Sequence, residues 1–228
     1  MRKTTLFKIA AIVSGLIGLV ILIATIYPIL EYELLSRDKY PELLSPIPKG
    51  KSLSFGKYDT TKASNWFPKA AKKDAFAIPA VAFYTLSIPK LDIEDATVAI
   101  GGDDLSKSLI QYPGTALPGK NGNAVIFGHS ILPQFYNPKD YISIFSLLPT
   151  LEKGDEIFIN YDGVSYTYVV EDMFEVRPTD IQVLEQDPSD AFISLITCTP
   201  PGDPRKPKRL IVRARIGNSD KAYVNTRN

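Results

Sequence analysis

The stretch Glu156-Ile157-Phe158-Ile159-Asn160-Tyr161-Asp162-Gly163-Val164-Ser165-Tyr166-Thr167-Tyr168-Val169-Val170 decides the fold class. Its Asp-Gly pair stands between two apolar-alternating flanks, the strongest short-range signal of a β-hairpin. In the second flank Val164, Tyr166, Tyr168 and Val170 share one face and Ser165, Thr167 and Glu171 the other, so one side meets a core. The same grammar of short β-rich runs broken by turn residues extends on both sides. It predicts strands at Thr85–Ile88, Ala96–Ile100, Ala124–Phe127, Glu156–Tyr161, Val164–Val176, Phe192–Cys198 and Arg209–Ile216, hence an all-β barrel or sandwich over residues 81–217. Two short helices are expected, at Asp104–Leu109 and at Tyr141–Leu151, the second broken by Pro149.

The run Ser194-Leu195-Ile196-Thr197-Cys198 ends directly before Thr199-Pro200-Pro201-Gly202, which puts a thiol where a strand opens into a loop. His129 likewise follows the β-like run Ala124–Phe127. In the last strand Leu210, Val212, Ala214 and Ile216 share one parity, and Arg209, Ile211, Arg213 and Arg215 the other. Arg213 and Arg215 read as a solvated edge, whereas Arg209 stands near the cysteine in the pattern. If the strand ends share one rim, a thiol, an imidazole and a guanidinium converge.

Such a trio has a chemical use. A thiolate attacks a peptide carbonyl, an imidazolium protonates the departing amine, and a fixed cation or N–H holds the charge that develops on oxygen. The resulting thioester passes its acyl group to water or to a competing amine.

Composition narrows the alternatives. The 228 residues hold 26 Lys+Arg against 25 Asp+Glu, a formal charge of +1 that supplies no basic face for nucleic acid. One cysteine and one histidine exclude an intramolecular disulfide and a Cys/His metal site.

Residues Ile9–Leu30 are 22 consecutive uncharged residues, long enough as a helix to cross about 30 Å of hydrocarbon. Arg2, Lys3 and Lys8 precede them, and Glu31 and Glu33 follow. Residues 1–30 are therefore expected to be a cytoplasmic tail and a single retained membrane span, with everything after them extracytoplasmic. Residues 31–80, with Pro41, Pro46, Pro48, Pro68 and Pro79, read as a spacer, and 218–228 as a polar tail. Within the spacer, Asn65-Trp66-Phe67-Pro68 reads first as an aromatic foot packing the spacer on the domain and second as a lid over a groove.

Taken together, the motifs resemble those of the sortase family. Ser194-Leu195-Ile196-Thr197-Cys198 resembles its Thr-Leu-x-Thr-Cys signature, with Ser194 for the first Thr, and Arg209-Leu210-Ile211-Val212 resembles its Arg-led terminal strand. Leu86–Leu91 is similar to its first barrel strand, Gly122–His129 to its histidine segment, and Tyr112-Pro113-Gly114-Thr115 with Pro118-Gly119 to the loop between. The resemblance covers about residues 83–216, in order. It implies a closed eight-stranded β-barrel behind a membrane anchor, and a cysteine transpeptidase cleaving Leu-Pro-x-Thr-Gly-type sorting signals on surface proteins. The acyl group would then pass to an amine of cell-wall peptide or pilin. By the resemblance Cys198 is the nucleophile, His129 the general acid, and Arg209 a substrate or oxyanion contact; Thr197, beside the nucleophile, is expected as a substrate or oxyanion contact and Ser194 as a substrate contact.

No cofactor is expected. Some members of the family use calcium, but the acids Asp180, Glu185, Asp187 and Asp190 read as solvated surface. Members dedicated to pilus polymerisation often carry a second, C-terminal span, whereas Gly217–Asn228 is short and polar. A thiol protease on the same fold and a non-catalytic extracellular binding module are the competing readings.

Overall fold

The computed structural model describes residues 2–40, 61–66 and 81–217. Helix α1 runs Arg2–Lys39, so the helix continues past the apolar run through residues 31–39, the first part of the expected spacer. The first proline after the apolar run is Pro41, and residues 31–39 are mostly helix formers with Arg37 and Lys39 in the last turn, where cations suit the helix dipole. The rest of the expected spacer, including Phe67 and Pro68, and the expected polar tail lie outside the described residues.

Eight strands follow: β1 Phe83–Ile88, β2 Ile93–Ile100, β3 Leu109–Gln111, β4 Gly122–Phe127, β5 Glu156–Tyr161, β6 Val164–Val176, β7 Ala191–Thr199 and β8 Lys208–Ile216. They close into a barrel in the order β1-β2-β3-β4-β7-β8-β6-β5, leaving no open edge. The Asp162-Gly163 hairpin pairs Tyr161 with Val164, with both turn residues at positive φ as a primed turn requires.

Both expected short helices are corrected. The carboxylate of Asp104 accepts the Ser106 amide (3.1 Å) and hydroxyl (2.6 Å), a local turn that competes with helix. From Leu109 the chain enters β3, which pairs parallel with β2 and antiparallel with β4 and closes the barrel. Residues 141–147 form turns, and only Leu148–Thr150 makes a 3-10 turn around Pro149.

The interior is filled by one parity of each strand, including Leu86, Val98, Ile126, Leu195, Leu210 and Val212. The opposite parity of β4, β7 and β8 forms a second apolar cluster outside the barrel, with Val125, Phe127, Ile196, Cys198 and Ile211, beneath Trp66. Strand β6 joins both surfaces through a register shift between Val170 and Asp172. Beyond this bulge the alternation inverts. Val170 faces the core as its pattern requires, but Phe174 and Val176 join the outer cluster while Met173 faces the core.

Candidate active site

Strands β7 and β8 pair antiparallel so that Cys198 stands opposite Arg209, Ile196 opposite Ile211, and Ser194 opposite Arg213. Strand β4 runs parallel on the other side of β7, with Val125 level with Ser194 and Phe127 level with Ile196. Side chains at one level of neighbouring strands share a face, so three strands build one groove floor that ends at the Cys198–Arg209 pair.

His129 lies just past the end of β4 and is set there by bonds on both sides. The Gly128 amide donates to Ile196 O (3.1 Å), which continues the β4–β7 ladder, and Gly128 O accepts the Thr197 hydroxyl (2.9 Å). Ser130 Oγ donates to Cys198 O at 2.6 Å. The histidine is thus clamped to the strand that carries the thiol. A Cβ on Gly128 would lie 2.4 Å from the Phe145 ring and 2.6 Å from Leu109, so only glycine lets β4 pass this close before the histidine.

Arg209 is fully buried, and its Nη1 donates to Lys206 O and Lys208 O at 3.0 Å each. Burial holds the guanidinium below its ordinary value, and the neighbouring Cys198 sulfur opposes that drop. An arginine remains charged throughout any such shift, so a fixed cation sits beside the thiol in a water-poor setting.

Trp66 covers this constellation. Its ring lies 5.9 Å from the His129 ring, 5.3 Å from Phe127, and 5.1 Å from the Arg209 guanidinium carbon, a cation–π contact. It is fully buried. The short segment carrying it is stitched to the β2–β3 loop: Ala63 N donates to Asp103 O (3.0 Å), Leu105 N to Thr61 O (3.0 Å) and Ser64 N to the Asp103 carboxylate (2.9 Å). The aromatic foot of the sequence reading is present, and its place is over the groove.

The remaining expected site residues divide. Ser194 faces the groove, donates to Asn123 Oδ1 (2.9 Å), and lines a cavity of about 430 Å³ with Asn123, Phe174, Val183, Ile211 and Arg213. Thr197, expected as a substrate or oxyanion contact, has the opposite parity: it is buried and spends its hydroxyl on Gly128 O, so it braces the histidine turn. Arg213 and Arg215 are not a bare cationic stripe, because Glu171 at the bulge reaches both, at 3.4 and 2.8 Å, and Asp187 reaches Arg213 at 3.5 Å. Asp180 accepts the Arg177 amide (2.9 Å), and among the described residues no three His, Cys, Asp or Glu side chains are grouped to hold a metal ion.

Two contributors were not singled out from sequence. Ser130 follows His129 directly, and only the β4–β7 pairing shows that its hydroxyl meets Cys198 O. Glu175 is buried at the same end of the barrel. It accepts Thr199 Oγ1 (2.9 Å), Lys208 Nζ (2.9 Å) and Tyr32 Oη of α1 (2.8 Å), tying the residues flanking Cys198 and Arg209 to the emerging helix. Its parity follows from the β6 bulge, which the alternation pattern did not signal.

The sortase domain family matches residues 86–216, more than half of the chain, and the match includes all three of Cys198, His129 and Arg209. The chain belongs to the sortase family. Among curated relatives, Sortase A of Streptococcus agalactiae is 24% identical over 132 residues, covering 58% of this chain and 51% of that protein. Sortase D of Bacillus subtilis is 26% identical over 142 residues, covering 61% and 59%. The match thus spans about half to three-fifths of the length of these two curated sortases. Among solved structures, a lid mutant of sortase A from Corynebacterium diphtheriae is 32% identical with a TM-score of 0.52, over 60% of this chain and 71% of that one. Sortase C-1 of Actinomyces oris is 26% identical with a TM-score of 0.52, over 61% and 76%. The closed barrel is therefore the sortase barrel, and the apolar α1 before it, long enough to cross a membrane, suits membrane anchoring of a sortase.

Proposed function

We propose that this sortase is a membrane-anchored cysteine transpeptidase that cleaves a Leu-Pro-x-Thr-Gly-like sorting signal and passes the acyl group to an amine. The observation that carries the reading is the level pairing of Cys198 with Arg209 on one groove, with His129 clamped beside them through Ser130 and Thr197. The Cys198 thiolate attacks the carbonyl carbon of the signal's threonine, and Arg209 steadies the charge that moves to the carbonyl oxygen. The Thr–Gly C–N bond breaks as His129 gives its proton to the glycine amine. The thioester is then attacked by an acceptor amine, the C–S bond breaks, and the proton lost by that amine returns to His129. The cavity beside Ser194, with Phe174, Val183 and Ile211 in its wall, offers apolar room for the residues preceding the threonine.

The charge pattern around α1 supports the orientation proposed here. Basic residues precede the apolar stretch and acidic ones follow it, so the N-terminus stays in the cytoplasm and the barrel lies outside. Calcium has no part in this reading.

Mass spectrometry of a sorting peptide incubated with the full chain, with and without a panel of amines, tests it. The transpeptidase reading requires an acyl-enzyme on Cys198 and a peptide–amine product. Hydrolysed acid alone across the whole panel would leave a thiol protease, and no cleavage of any sorting peptide would leave a binding module.

A further inference from the structure

Pro28 lies inside α1. A proline has no N–H, so the carbonyl four residues earlier, that of Ala24, loses its helical donor. That carbonyl is met from outside the helix: Gln134 Nε2 donates to Ala24 O at 3.1 Å. Gln134 belongs to the loop that leaves His129, and a backbone acceptor at this depth in a bilayer otherwise goes unmet at considerable cost.

From Pro28 onward the helix also shows a barrel-facing stripe. Pro28, Ile29, Tyr32, Glu33, Ser36 and Tyr40 are half-buried or buried at helical spacing, whereas the described side chains before Pro28 are exposed. Tyr32 bonds Glu175, and Tyr40 Oη and Lys39 Nζ both donate to Pro149 O, at 2.6 and 2.7 Å. The barrel is therefore held against its own helix along the last three turns, with Gln134 making the contact deepest within the apolar run.

Ala24 lies four residues before Pro28 and six before Leu30, which places the Gln134 contact about 6–9 Å inside the outer end of the apolar run. Next to it, Phe135 is 63% exposed. The loop that displays it is braced: Ile131 N donates to Ser146 Oγ (2.9 Å), Tyr136 Oη to Leu91 O, and Leu132 packs where a Cβ on Gly202 would collide. An exposed aromatic on a rigid loop, about 5–10 Å below the headgroup boundary, matches the seating depth of interfacial apolar groups.

The geometry points to a membrane-seating surface: the residue 131–136 loop enters the outer leaflet's interface through Phe135, registered by Gln134 on the carbonyl that Pro28 opens. The barrel end carrying Cys198, His129 and Arg209 then faces the bilayer at a fixed height, and peptides presented close to the membrane meet the groove. This rests on the reading of α1 as a retained membrane span.

The experiment uses the full chain in phosphatidylcholine nanodiscs with and without brominated acyl chains, which quench tryptophan at the interface. Phe135→Trp is expected to lose about half of its added emission in brominated discs, as an interfacial ring does. The parent reports Trp66, which is buried, and stays unquenched. Phe83→Trp is the control, because Phe83 is 60% exposed but begins β1 at the opposite end of the barrel. Adding Gln134→Ala to Phe135→Trp reduces the quenching. Retention in the disc with Phe135→Trp quenched no more than Phe83→Trp overturns the seating and leaves the anchor intact. Failure of the chain to stay with the disc overturns both.

Discussion

Replacing Trp66 by alanine asks whether the ring holds the site closed. Burial of a tryptophan removes roughly 150–250 Å² from water, worth about 4–6 kcal/mol. The three hydrogen bonds accepted by the Asp103 carboxylate, Asp103 O and Thr61 O add about 1 kcal/mol each. Ordering the six residues Thr61–Trp66 costs about 1 kcal/mol apiece, so the closed arrangement is favoured by roughly 1–3 kcal/mol. Substrate then binds only the minority with the groove open, and its apparent affinity falls by that fraction. Trp66→Ala removes most of the apolar gain and tips the balance to open. The expected result is a rise in kcat/KM for a fluorogenic sorting peptide of roughly 5- to 150-fold, with a matching rise in the rate at which iodoacetamide alkylates Cys198. Thermal melting of both proteins separates this from loss of fold. An unchanged kcat/KM and an unchanged alkylation rate in a variant that melts normally would refute the reasoning, because a ring 5.9 Å from His129 and 5.1 Å from Arg209 would then not limit access.

Cys198→Ala and His129→Ala each remove nearly all transfer, because the chain has one thiol and one imidazole and neither has a substitute. Acyl-enzyme by mass spectrometry should vanish in the first, and substantial turnover in either contradicts the assigned roles. Gly128→Ala forces a Cβ to within 2.4 Å of the Phe145 ring, which costs about 1–3 kcal/mol and lowers the melting temperature; a melt within error of the parent would show that Phe145 yields freely. The Arg205 side chain donates three hydrogen bonds and its amide a fourth to the Asp203 carboxylate, holding it below its ordinary value of 3.8. Because the folded value is the lower one, this stabilisation is complete above the ordinary value and is lost as pH falls through the folded one. The melting temperature of the parent should therefore drop more steeply toward acid than that of Asp203→Asn, and superimposed acid limbs would count against the pairing.

Seven of the eight strands were legible because period-2 alternation and Asp162-Gly163 are local signals. Strand β3 was not, since three residues carry no period and the preceding Asp104-Leu105-Ser106 turn mimics a helix start. The candidate trio was legible through strand ends and motif order. Residues 31–39 of the expected spacer are helical because its first proline, Pro41, comes only after the helix has ended. Standing beside Cys198 suggests a substrate or oxyanion contact for Thr197, but adjacent residues on a strand face opposite sides, and its hydroxyl meets Gly128 O.

By itself, then, the order of residues determined the apolar run of α1, the alternation within seven strands up to the β6 bulge, and the single thiol and single imidazole at strand exits. These are properties of neighbours along the chain. Only the tertiary structure decided which parities share a surface, because register between strands depends on partners distant in sequence and on the bulge at Glu171 that inverts β6. That pairing sets Cys198 level with Arg209, gives His129 its clamp through Ser130, and lays Trp66 across all three. It also brings Gln134 to the carbonyl that Pro28 frees, a contact across 110 residues that no local pattern encodes.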